Sequence, residues 1–344
     1  MSGRHVLIAR CDSAGDVLLA GPAVRAVAAG AATVSLLVGP RGLEAAQLLP
    51  GVDRVICFHT PWIDAEPLAT DRGATLALVD RLQALGLDQA LVLTSFHQSP
   101  LPLALLLRLA GVPTIAAISD DYPGSLLDIR HRVPEDVHEV ERALSLVAAL
   151  DYRLSPSDTS ELRVRTPAGL SGAVSDLAPY LVVHPGASVR ARAWGAERHT
   201  QLVAELAASD RRVVVTGGPD ERGLTASVAG RSQPGVLDLG GRLSLAEMAR
   251  VLASADAIVA GNTGPAHLAA AVGTPVVSLY APTVPAVRWR PWRVRHELLF
   301  EPVPCAGCRA HNCRVSGHPC LAGIGVADVL AALGRLAPAM AEAA

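Results

Sequence analysis

The chain has 344 residues and a mass of 35.6 kDa, too long for one compact core and suited to two domains of ordinary size. Half of the residues are apolar and 18% are charged, which excludes disordered and fibrous architectures. The formal charge of −2 lacks the basic excess of a dedicated nucleic-acid binder, and with no lysine in the sequence every fixed cation is an arginine.

Short apolar runs alternate with helical patterns, which predicts parallel sheets joined by crossover helices. Strands are expected first at His5–Ala9, Thr33–Val38, Arg54–Cys57, Ala90–Thr94 and Thr114–Ile118, with helices at Val17–Ala28, Leu76–Leu85, Leu101–Ala110 and Val137–Leu150. The small, weakly patterned stretch Pro167–Gly172 is read as the approach to a linker, giving domains 1–172 and 173–344. Beyond it, strands are expected at Leu181–Val183, Arg212–Thr216, Val236–Leu239, Ala257–Ala260 and Pro275–Leu279. The intervening helices are Glu197–Ala208, Leu224–Ala229, Ser244–Leu252 and Pro265–Val272. Leu245, Met248, Ala249 and Leu252 keep helical spacing, so Met248 is assigned to packing. The expected class is α/β, two doubly wound domains with a cleft between them, ligands lying at the C-terminal ends of strands.

No segment approaches the roughly 20 apolar residues of a membrane span. The apolar run Val6–Ala9 is shorter than the about 7–15 residues of a signal peptide, so a cytoplasmic location is expected.

Three strand-to-helix passages carry chemistry. The first, Arg10-Cys11-Asp12-Ser13-Ala14-Gly15-Asp16, puts Asp16 at a helix start facing the expected cleft, where a carboxylate can take a proton from a bound hydroxyl. Spacing alone favours a plainer role for Asp16 as a helix cap. No G-x-G-x-x-G follows this strand, so a dinucleotide fingerprint is not the explanation. The second passage, His184–Trp194, offers Gly186, Ser188, Arg190 and Arg192 to a phosphate or diphosphate, against the alternative of an ordinary surface loop. The third, Gly261–Ala271, sets Thr263 and Gly264 ahead of Pro265, a phosphate seat built from backbone N–H groups, with His267 in the first turn. Thr216–Glu221 reads as a tight loop of the same kind.

Four of the six cysteines crowd into Cys305-x2-Cys308-x4-Cys313-x6-Cys320. A structural zinc or iron is weighed against free thiols, because only the first pair has metal-ligand spacing. Arg288–Arg295 interleaves arginine with tryptophan. Peripheral contact with a membrane or an anionic acceptor is the functional alternative there, and tryptophans packed on the domain with solvated arginines the favoured reading.

Taken together, the motifs resemble glycosyltransferase family 9, the ADP-heptose:lipopolysaccharide heptosyltransferases. The resemblance rests on S-x-G-D-V-L-x-x-x-P-A at Ser13–Ala23, H-P-G-A-S with a following Trp at His184–Trp194, G-G-P-x-E at Gly217–Glu221, the segment Gly241–Leu245, and G-N-T-G-P-x-H-L-A-A-A at Gly261–Ala271. It implies a GT-B fold, an acceptor-binding first domain, a nucleotide-sugar-binding second domain, and inverting transfer without a catalytic metal. By similarity Asp16 is the base, with Arg10 and Ser13 as acceptor-side candidates. Ser188, Arg192, Leu243, Asn262, Thr263, Gly264 and His267 are the donor-side residues, Leu243 lining the adenine. Arg192 replaces the family's usual Lys, and Asn262 stands where an Asp is often directed at the sugar, which leaves the sugar's identity open. The implied partners are a nucleotide-diphosphate sugar, heptose by default, and a hydroxyl of a lipopolysaccharide-like, envelope or small-molecule acceptor. A location at the inner membrane face is compatible with this. A two-lobed binding protein without turnover and a nucleotide-sugar epimerase are the alternatives.

Overall fold

In a computed structural model of the chain, residues 3–64, 66–134, 136–166, 174, 177–230 and 233–336 are described. The expected linker Pro167–Gly172 lies outside them. The chain forms two compact units, residues 1–165 and 166–344.

The first unit holds a parallel sheet of β1 (His5–Ala9), β2 (Thr33–Val38), β3 (Arg54–Cys57), β4 (Gln89–Val92), β5 (Thr114–Ile118) and β6 (Ile129–His131) in the order β3-β2-β1-β4-β5-β6. Ile8 on β1 stands opposite Leu36 on β2 and Leu91 on β4, so the central strands are apolar on both faces. Helices α4 (Arg72–Ala84) and α5 (Leu101–Leu109) bury Leu78, Leu82, Leu103 and Leu107 with Leu7, Leu37 and Val92 in one core cluster. Helices α2 (Gly21–Ala28) and α6 (Glu139–Ala148) pack together, α2 over β2 and α6 over β5.

One continuous helix was expected over Val17–Ala28, but α1 (Ala14–Leu19) ends before α2 begins at Gly21. Pro22 explains the break: it has no N–H, and its ring conflicts with the carbonyl of Leu18 four residues back. A short helix α3 (Leu43–Leu48) and the edge strand β6 carry no periodic signal of their own and escaped the sequence reading.

The second unit repeats the plan with β7 (Leu181–His184), β8 (Val213–Val215), β9 (Val236–Asp238), β10 (Ala257–Gly261), β11 (Val276–Leu279) and β12 (His296–Leu299), ordered β12-β11-β10-β7-β8-β9. Val259 on β10 faces Val183 on β7 and Val277 on β11. One face is covered by α7 (Ala196–Ala208), α8 (Arg222–Ala229) and the late helix α13 (Val326–Leu336), which with Trp194 close a core around Leu202, Val228 and Leu333. The Trp194 indole N–H donates to the Ile324 carbonyl at 3.0 Å, satisfying the polar atom of a fully buried ring. Helices α9 (Leu245–Ala253) and α10 (Gly264–Ala271) pack side by side, with α10 also against β10 and β11. Met248 on α9 is buried, as its spacing predicts. Short helices α11 (Ala286–Trp289) and α12 (Pro319–Ala322) lie in the C-terminal part.

Each sheet reverses its winding between its first and fourth strands, β1/β4 and β7/β10. In open α/β sheets the ligand crevice lies at such a switch point, outside the carboxyl ends of the strands. Among the described residues no helix is long and apolar enough to cross a membrane.

Candidate functional sites at the two switch points

In the first unit, Arg10 directly follows β1 and is 4% exposed. Its guanidinium collects three carboxylates: Nε to Asp12 at 2.9 Å, Nη2 to Asp16 at 3.0 Å and Nη1 to Glu139 at 3.4 Å. Nη2 also donates to the Ser95 hydroxyl at 2.9 Å. Burial works against this charge and the three acids outweigh it, so the pKa of Arg10 is raised. Asp12 is fixed further by Ser95 at 3.2 Å and Gln98 at 2.6 Å, and burial pushes its carboxyl up against the pull of Arg10.

Asp16 is not the helix cap that spacing suggests. Ser13 occupies the cap position of α1, and Asp16 sits in the first turn. The Asp16 carboxylate accepts from Arg10 on one oxygen and from the Ser13 hydroxyl at 2.8 Å on the other. Its side chain keeps 19% exposure, against 5% for Arg10, 7% for Asp12 and 2% for Glu139. Of the cluster's carboxylates it is the one turned towards solvent. The sequence passage supplied Arg10, Ser13 and Asp16, whereas Ser95, Gln98 and Glu139 come from distant segments and left no local signal.

In the second unit, the turn Arg190–Arg192 follows β7 and Asn262 follows β10. Arg192 Nη1 donates to the Asn262 carbonyl at 3.4 Å and Nε to the Thr283 hydroxyl at 3.2 Å. These bonds hold the guanidinium beside the start of α10. Gly261 allows the approach: a Cβ there would lie 3.1 Å from the Arg192 carbonyl oxygen. Thr263 takes the cap position of α10 in extended conformation and makes no side-chain cap bond, with Gly264 and Pro265 opening the helix. A fixed cation next to a helix start is an anion seat.

Asn262, expected on the donor side, is held by the backbone of Ala281. Its side chain is buried, Nδ2 donating to the Ala281 carbonyl and Oδ1 accepting from the Ala281 N–H, both at 3.2 Å. The amide thus braces the end of β10 against the segment after β11. His267 is 5% exposed in the first turn of α10. Ser188 is exposed and Leu243 half-buried, both on loops at strand ends. His184 is buried, bonded to the Thr216 hydroxyl at 3.0 Å, and burial pushes its pKa down to about 4. Glu221 accepts from the Gly218 N–H at 2.7 Å, and its carboxylate occupies the space that a Cβ on Gly186 would fill.

Cys305, Cys308, Cys313 and Cys320 all line one cavity of about 200 Å3, together with Ala191, Thr283 and His318. Among the described residues no three His, Cys, Asp or Glu side chains gather as a metal site. The Cys320 thiol is pushed up, first by burial and then by its three cysteine neighbours. In the Arg–Trp segment Trp292 packs inside, as expected, while Arg290, Arg293 and Arg295 are exposed. Arg288 differs from the expected solvated arginine and is 6% exposed.

The model of the family described as glycosyltransferase family 9 (heptosyltransferase) matches residues 75–318. Lipopolysaccharide heptosyltransferase 1 of Pseudomonas aeruginosa is 33% identical over 230 residues, covering 63% of this chain and 61% of that protein. Lipopolysaccharide heptosyltransferase 3 of Escherichia coli is 30% identical over 162 residues, 46% of this chain and 47% of that protein. The match therefore spans between about half and three fifths of these curated relatives. A glycosyltransferase family 9 structure from Veillonella parvula superimposes with a TM-score of 0.81 at 15% identity, covering 98% of both chains, which extends the shared GT-B fold to nearly every residue. With two Rossmann-ordered units and a family match over well more than half its length, the chain belongs to glycosyltransferase family 9.

Proposed function

We propose that the protein is an inverting glycosyltransferase that moves a sugar, heptose by default, from an ADP-sugar or similar donor to an acceptor hydroxyl. The observation that carries this reading is the pairing of reactive groups with switch points: a partly exposed carboxylate at β1/β4 and a cation beside a helix start at β7/β10. Family membership and the curated heptosyltransferase relatives support it.

In this reading Asp16 accepts the proton as the acceptor oxygen bonds to the anomeric carbon, and the bond from that carbon to the diphosphate oxygen breaks. The electron pair leaves with the nucleoside diphosphate, where Arg192 and the N–H groups at the start of α10 stabilise the growing charge. Ser188, Leu243 and His267 complete the donor side, while Asn262 contributes through its backbone and its bracing role. No metal enters the reaction. Trp62, Phe96 and Tyr122 share the strand-end loops of the first unit with Asp64, Glu66, Asp120 and Asp121. Aromatic faces and carboxylates suit a polyhydroxylated acceptor, whether lipopolysaccharide-like, another envelope glycan or a small molecule. Use of a nucleotide-sugar donor supports the expected cytoplasmic location, at the inner membrane face where the acceptor is lipid-borne.

The four thiols that line one cavity are the residue type that holds a structural zinc or iron, outside the transfer step. Metal analysis of the purified protein is expected to find one ion that Cys308→Ser/Cys313→Ser loses, and a metal-free parent overturns that role.

Asp16→Asn is the direct test of the transfer. Sugar transfer is expected to fall at least about 100-fold, as for loss of a general base, with ADP affinity unchanged. Full activity in the variant sinks the base assignment, and conversion of the donor sugar without acceptor points to an epimerase instead.

A further inference from the structure

The segment from Cys305 to Cys320 has so far only a structural assignment, yet its hydrogen bonds lead to Arg192. The Ala191 N–H donates to the His311 carbonyl at 2.8 Å, and the Ala191 carbonyl accepts from His318 Nε2 at 3.0 Å. Both backbone groups of the residue preceding Arg192 are thus held by this loop. The same loop grips the other side of Arg192. Gly307 N–H donates to the Pro282 carbonyl at 2.7 Å and Arg309 N–H to the Thr283 carbonyl at 2.9 Å, and Thr283 is the residue whose hydroxyl receives Arg192 Nε.

Backbone conformation points the same way. Arg309 and His318 lie in the left-handed region, at φ 52° and 49°, which residues with a Cβ rarely occupy. Arg309 bonds the Thr283 carbonyl, and His318 is one of the two loop residues that bond Ala191. Such conformations persist where the surroundings over-determine them. The loop itself is mostly exposed, Cys308 and Cys313 included, so its hold on the buried Ala191 and Thr283 comes from these bonds.

We propose that the Cys305–Cys320 loop is a positioning element for the donor diphosphate, with His318 its principal positioning residue, setting the Arg192 guanidinium through Ala191 and Thr283. This rests on the reading that Arg192 holds the donor's diphosphate. Bonding the Ala191 carbonyl through Nε2 requires a proton on that nitrogen, so the imidazole acts as a donor there. The loop's influence is confined to the phosphate that Arg192 reaches, and the rest of the nucleotide binds independently of it.

Comparing ADP with AMP by calorimetry isolates that phosphate. The parent is expected to bind ADP at least about tenfold more tightly than AMP, as a charge-assisted contact implies. His318→Asn tolerates the left-handed backbone and withdraws the imidazole, and Thr283→Val removes the hydroxyl at similar volume. Each is expected to cut the ADP:AMP preference about fivefold, the scale of one lost hydrogen bond, while AMP affinity stays within about twofold. A parent that does not distinguish the two nucleotides overturns the diphosphate reading, and this inference with it. A parent that distinguishes them while both variants keep its full preference overturns the loop's role alone. Equal weakening of both nucleotides marks general destabilisation and also overturns it.

Discussion

Arg10 shows why a residue's role is set by what surrounds it. Read in the sequence, it is one arginine beside a candidate base; folded, it is the common partner of Asp12, Asp16 and Glu139. Removing it takes the shared cation from three carboxylates in a mostly buried cluster. Breaking a buried pair in this way costs about 3–5 kcal/mol, so Arg10→Met is expected to lower first-unit stability by that order in urea unfolding at pH 7. Without the cation the carboxyl pKa values rise, so protonation relieves the repulsion and the gap to the parent narrows as pH falls through the carboxylate range. A variant as stable as the parent at pH 7 contradicts this account. Asp16 was legible from its motif, whereas Glu139 was not, because their 123-residue separation is closed only when α6 packs beside α2.

At the scale of elements, the central strands were legible nearly to the residue, because a strand buried on both faces must be a continuous apolar run. The edge strands β6 and β12 escaped notice: Ile129-Arg130-His131 and His296-Glu297-Leu298-Leu299 mix polar and apolar residues, as half-exposed edges do. Caps set other boundaries. α9 starts at a reciprocal box in which Ser244 Oγ accepts from the Glu247 N–H at 3.3 Å and Glu247 accepts from the Ser244 N–H at 2.8 Å. Ser244→Ala is expected to destabilise the second unit by about 1 kcal/mol, read as a shift in urea midpoint with unchanged slope. The box stands next to Leu243, so a fall in adenosine affinity larger than that stability change would show that the cap also fixes the base-side loop.

On the scale of the whole molecule, the two units share a strand order but differ in their buried titratable groups. The second unit encloses His184 and His199, both pushed down to about 4 by burial, and His199 packs edge-on to Trp194 with ring centres 4.9 Å apart. An unfolded histidine titrates near 6.5, so between those values the unfolded chain binds more protons than the folded one. Stability from these groups is therefore full above about pH 6.5 and falls as pH drops towards 4, by on the order of 3 kcal/mol per histidine at the acid end. Urea unfolding from pH 7.5 to 4.5 is expected to show that decline in the second unit. His199→Phe, which keeps an aromatic edge on Trp194, should remove about half of it; a flat profile in the parent contradicts the assignment.

The sequence by itself determined the class, the alternation of strands and helices, the strand-end motifs and the family, because buried parallel strands and glycine-bearing turns must be written locally. Only the tertiary structure decided which side chains meet: Arg10 with three acids, Arg192 with Asn262 and Thr283, and the cysteine loop with Ala191. It also joined the Asn262 amide to both backbone groups of Ala281. Such partners are chosen by crossover connections that bring distant strand ends together, and no local pattern of residues encodes that adjacency.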